Sequence, residues 1–147
     1  MKYQLHFTIP EFPNPNPMPE DYEYWVPLMK YFIEKSDTIE IHCWNEEKEV
    51  IKETKALVQD DPELPEDMKL TIFRGILTYD ISHHLLYDHI AETENIKWFS
   101  IFLSKGDTTM FHSEHWGTEF FAPNLSEEEI AYITSVMPKD TNFNQYE

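Results

Sequence analysis

Seven histidines, one cysteine and 28 carboxylates are the groups in this 147-residue chain with the chemistry to bind a metal or carry a reaction. His83, His84 and His89 fall close together, and His112 and His115 lie three apart. A zinc site needs three or four ligands converging at about 2 Å. The spacing works against that. Thr108 to Trp116 patterns as a strand, on which His112 points with Glu114 while His115 points the other way. On a helix, His84 and His89 are five apart and diverge. The pattern H-E-x-x-H is absent, and one cysteine builds no thiolate site. No metal ligands are therefore assigned.

Cys43 would serve as a nucleophile only beside a base, in surroundings that favour its thiolate. Its alternation with Ile39 and Ile41 places it on an apolar face instead, where cysteine is inert packing. No G-x-S-x-G, phosphate-binding loop or G-x-G-x-x-G occurs, and three glycines are too few for a phosphate cradle. The sequence predicts no catalytic residue, no cofactor site and no enzyme. A small histidine-using enzyme or metal-binding protein is kept as an alternative.

The aromatic and acidic mixture offers more. Trp116, flanked by Glu114 and Glu119, follows the second strand of a hairpin whose turn carries Asp107. The loop Gln59 to Asp67 adds Asp60, Asp61, Glu63, Glu66 and Asp67. Tryptophan is enriched at binding hot spots, and surrounding carboxylates suit lysine or arginine on a partner. These nine residues form the candidate partner-binding set. The competing structural reading is core packing for the rings and a solvated loop for the acids.

The net charge of −17 supports a basic protein as partner. It argues against nucleic acid and against an anionic membrane surface. The excess is shared, −9 in residues 1–69 (16 acids, 7 bases) and −8 in 70–147 (12 acids, 4 bases), so it belongs to the domain rather than to a tail. A lone cysteine fits a reducing compartment. The N-terminus has no apolar signal region and no run reaches the ~20 residues of a membrane helix. A cytoplasmic protein is expected.

The elements that must position these groups are legible in part. Lys2–Ile9 alternates as a strand, and Asp37–Trp44 does so again. Residues 10–19 hold five of the ten prolines and read as an extended arm. A helix is expected from about Pro27. Asn45 should cap a second helix, Glu46–Val58. Met68–Tyr79 reads as a strand with a bulge or close approach at Gly75. Residues 80–92 are ambiguous between helix capped by Asp80 and strand, with helix preferred. Lys97–Leu103 and Thr108–Trp116 form a hairpin about Gly106. Pro123 and Asn124 break the chain. Ser126 then opens a helix with Glu129 closing a capping box, and Ile130, Ile133 and Met137 form its apolar stripe. Residues 139–147 read as a loose tail. The order implies one α+β domain over 1–147, a mostly antiparallel sheet of about five to six strands with about three to four helices on one face.

In size, acidity and lack of a signal peptide the chain resembles bacterial immunity proteins, the cytosolic antitoxins that neutralise secreted nuclease toxins. The run FHSEHWGTEFFAPNLSEEEI, Phe111 to Ile130, looks like the strand–loop–capped-helix endings of several such families. The resemblance implies an inhibitor that binds and blocks a basic toxin. A non-catalytic adaptor or regulatory module is the alternative.

Overall fold

A computed structural model describes residues 2–10, 22–67 and 69–147. The proline-rich arm lies outside these residues except for Pro10. Seven strands form one sheet: β1 (Tyr3–Thr8), β2 (Thr38–Trp44), β3 (Leu70–Ile76), β4 (Ser100–Lys105), β5 (Thr108–Glu114), β6 (Glu119–Leu125) and β7 (Asn142–Tyr146). Their order is β3-β2-β4-β5-β6-β1-β7, and every pairing is antiparallel. Helices α1 (Trp25–Ile33), α2 (Lys48–Leu57), α3 (Tyr79–Tyr87) and α4 (Glu127–Val136) complete an α+β domain.

The alternation that marks the strands also builds the core. Leu5, Phe7, Ile39, Ile41, Cys43, Ile101, Leu103, Phe111, Phe120 and Ala122 are buried on one face. Trp25, Leu28, Met29 and Phe32 of α1, Ile81 and Leu85 of α3, Val50 of α2 and Ile133 of α4 join them in a single cluster. Phe32 stacks on Phe111 at 4.3 Å between centroids. The helices thus share one face, and the sheet's other face carries the alternate residues. Trp25 anchors the helical layer: its indole N–H donates to the Leu85 carbonyl at 2.8 Å, and its ring stacks on Trp98 and His89.

Several expectations are corrected. The tail is not loose, because Asn142–Tyr146 pairs with β1 along its length as an edge strand. Residues after Trp116 do not run straight into a loop. Glu119–Leu125 is a strand, with Pro123 tolerated because the register with β1 shifts between Tyr3 and Leu5 and Asn124 takes a φ of 58°. Asn45 does not cap α2. Its amide pairs with Lys69 and its side-chain oxygen accepts from the Thr71 hydroxyl at 2.7 Å, so strand pairing takes it and α2 starts at Lys48. Thr78, not Asp80, caps α3, its hydroxyl accepting from the Ile81 amide. The helix ends at Tyr87. Gly75 holds an unshifted register opposite Ile39, without a bulge, and a Cβ there would make ordinary contact with Val58. The hairpin's first strand starts at Ser100, leaving Lys97 and Trp98 buried ahead of it. Helix α1 starts at Trp25, with Pro27 in its first turn where a missing N–H costs nothing.

Helix α4 carries its expected capping box, with the Ser126 side chain accepting from the Glu129 amide and the Glu129 carboxylate from the Ser126 amide. Glu129 also accepts from Lys35 at 2.6 Å and from the Tyr31 hydroxyl at 2.8 Å. Burial alone would raise this carboxyl, but hydrogen bonds from Lys35, the Ser126 amide and Tyr31 outweigh it and hold it at about 2. The folded value lies below the ordinary 4.5, so this stabilisation is present above about 4.5 and is lost as the pH falls toward 2. Glu129→Gln is expected to lose about 2 kcal/mol at neutral pH. Urea titrations should show the gap to wild type closing across that acid window.

Candidate functional site

The face of the sheet turned away from the helices is the best-defined surface for a site. A single row crosses all seven strands: Arg74, Glu40, Phe102, His112, Phe121, His6 and Asn144 are successive cross-strand partners. The row exists because each residue is one step off the apolar alternation of its strand. At its centre His112 packs edge-on to Phe102 at 4.5 Å and lies 5.8 Å from Phe121. Burial lowers the His112 pKa, against the pull of Glu114 and Glu40, so the ring is neutral at physiological pH.

Charge gathers in two places on this face. Toward β3, Glu40 accepts from His42 and from Arg74, each at 2.6 Å, and Arg74 also meets Glu63. Burial would raise the Glu40 carboxyl, but these partners keep it below its usual value. Toward β1, Glu119 meets His6 at 2.9 Å and His115 at 2.6 Å, and the same balance depresses it. Glu114 stands opposite Glu119 across the β5–β6 pair. Like charges directly opposite are destabilising, and the two histidines beside Glu119 offset this.

The predicted site residues divide. Asp60 and Asp107, 47 positions apart, line one depression of about 570 Å³ with Glu40, Arg74 and His112. Glu63 sits at its β3 edge, where its backbone bridges to Ile72. Glu114 and Glu119 lie beside the middle of the row, two residues along β5 and β6 from His112 and Phe121. Asp61, Glu66 and Asp67 are exposed on the loop. Trp116 differs from the rest: it is half-buried, stacked on Trp44, and its indole N–H donates to the Glu47 carboxylate at 3.1 Å. Burial raises Glu47 in spite of that bond.

Trp116 belongs to a strained turn. His115, Trp116 and Gly117 all have positive φ, at 52°, 55° and 75°. Each non-glycine residue held there costs on the order of 1 kcal/mol. The turn is over-determined by its surroundings. The Trp116 amide donates to Phe99, the Thr118 hydroxyl to the His115 carbonyl, and the Tyr24 hydroxyl to the Gly117 carbonyl. The strand ends at Glu114, so His115 does not point to the opposite face as strand alternation requires. The turn brings its ring back to Glu119.

Comparison with protein-family models, curated proteins and solved structures returned no match. Cys43 is fully buried, and burial pushes its thiol up to about 12, so almost none is thiolate at neutral pH. Among the described residues, Glu53, His84 and Asp88 bring three ligand atoms within 4.8 Å of one another. The Lys97 ammonium already occupies this neighbourhood, 2.6 Å from Glu53 and 3.2 Å from Asp88. Burial and Lys97 both lower His84. A groove of about 450 Å³ beside it is lined by Glu46, Glu47, Glu49, Glu92 and Ile90. Sequence reasoning missed this cluster, whose parts come from α2, α3 and the segment before β4. Among the described residues no helix is long and apolar enough to cross a membrane.

Proposed function

We propose that this protein is a stoichiometric inhibitor of the immunity type, which binds and covers a basic protein surface through the open face of its sheet. A toxin nuclease is the kind of partner that fits. Nucleases are basic because their substrate is anionic, and a chain of net charge −17 offers both steering and complementarity. One observation carries the reading: a ring-lined sheet face with carboxylates on two sides of its rings, Glu40, Asp60 and Asp107 around the depression at His112, and Glu114 and Glu119 two residues along β5 and β6. Arg74, the single arginine, is bound to Glu40 and Glu63. The rings of Phe102, His112 and Phe121 supply flat, pre-ordered area that loses little entropy on contact. A cytosolic setting suits the reduced thiol of Cys43.

The reading requires salt-dependent capture. Affinity capture from the native lysate at about 50 mM salt is expected to retain a basic protein, and association should slow at least tenfold by about 200 mM. Hydrogen exchange of that complex should protect β4, β5 and β6. Asp107→Lys combined with Glu114→Lys should slow association about tenfold while leaving the melting temperature unchanged. Capture of neutral or acidic proteins alone, or an association rate indifferent to salt, would sink the proposal.

A further inference from the structure

Helix α3 presents a second surface, on the helical side of the sheet. Its buried side is Ile81, Leu85 and Leu86. Its outer side carries Tyr79, His83 and Tyr87, spaced i, i+4 and i+8, so the rings fall in line along one face. They lie ring beside ring, with centroids 6.0 Å apart for Tyr79–His83 and 4.9 Å for His83–Tyr87. Tyr79 is 79% exposed and Tyr87 62% exposed. With Leu57 of α2, these rings line a shallow groove of about 500 Å³ whose other members include Asp80 and Asp88, the latter already paired with Lys97 and His84. No lysine or arginine lines it.

Solvent-facing rings beside carboxylates call for an occupant that is both flat and cationic. An aliphatic partner would strip water from Asp80 and return nothing to it. A phosphate backbone would meet the field of a −17 chain. A guanidinium satisfies both parts, since its plane stacks on a tyrosine face while its N–H fork reaches a carboxylate. Lysine offers only a point charge. We propose that the α3 ladder is a docking surface for an arginine-bearing segment of a protein partner. Its residues are distinct from those of the open sheet face, and it stands whether or not that face binds anything.

The test uses the full chain with oligoarginine and oligolysine peptides of equal length, at fixed ionic strength. Wild type is expected to bind oligoarginine about tenfold more tightly than oligolysine, from two exposed cation–π contacts. NMR should show the ring signals of Tyr79 and Tyr87 shifting as oligoarginine is added. Tyr79→Ala with Tyr87→Ala should abolish the preference without unfolding the protein, because both rings face solvent. Tyr79→Phe with Tyr87→Phe should retain it, and so should Tyr146→Ala on the β7 edge. Three outcomes overturn the proposal: an arginine preference that survives the double alanine change, ring signals that stay still, or tighter binding of a single-stranded oligonucleotide than of oligoarginine.

Discussion

Gly117→Ala is expected to lose about 3 kcal/mol of stability, the largest effect of an alanine at any of the three glycines. Two separate costs combine. The residue sits at φ +75°, where any side chain meets its own backbone. The added Cβ would also stand 3.0 Å from the Ile96 side chain and 3.0 Å from the Trp25 ring. Neither neighbour can give way. Ile96 is 1% exposed, and Trp25 is fully buried and fixed by its bond to the Leu85 carbonyl. Gly106→Ala separates the two costs. Gly106 has φ +58° with nothing within 4 Å of the added carbon, so only the backbone term applies, about 1 kcal/mol. Equal losses in denaturant titrations of the two variants would show that packing against Trp25 is not what fixes residue 117. The change should also loosen the turn that returns His115 to Glu119, and so disturb one end of the open face.

The sequence was readable where structure is local. Alternation located β1 and β2, and the capping box of α4 followed from Ser126 and Glu129 alone, since both depend on residues within a few positions. It failed where a distant partner decides. Asn45 has every property of a helix cap, but Thr71 and Lys69 claim it first. The NFNQY segment lacks apolar periodicity, yet β1 supplies a free edge to pair with. For the site, alternation put Glu40 and His112 on polar faces, but which strands are neighbours is a matter of sheet order. Only the order β2-β4-β5-β6 turns those residues into one row with Phe102 and Phe121. The same limit hid the meeting of Asp60 with Asp107. Trp116 showed a different limit: composition marked it as a candidate binding residue, and the left-handed turn that folds its indole onto Glu47 leaves no local trace.

Lys97→Met is expected to lose about 2 kcal/mol, the second large effect. Lys97 is buried, and its ammonium is the cation that Glu53 and Asp88 share with His84 close by. Removing one partner of a fully buried pair costs about 3–5 kcal/mol. The cost here is smaller because the carboxylates reach water, with Glu53 40% and Asp88 61% exposed. The methionine fills the volume, so the loss reports charge rather than a cavity. The same change opens a position for a divalent ion. Glu53, His84 and Asp88 keep ligand atoms within 4.8 Å of one another, and the His84 Nε2 is buried without a hydrogen-bond partner among the described residues. Zinc should therefore raise the melting temperature of Lys97→Met and recover part of the loss, while leaving wild type unchanged. A zinc shift of equal size in wild type would show that the ammonium does not fill this position. The contrast bears on the acidic surface as a whole. Where Glu53 and Asp88 converge, the chain supplies its own cation, so at this cluster the negative charge is met from within. At the open face Asp60, Asp107 and Glu114 enter no ion pair among the described residues, and it is these that an external cation can reach.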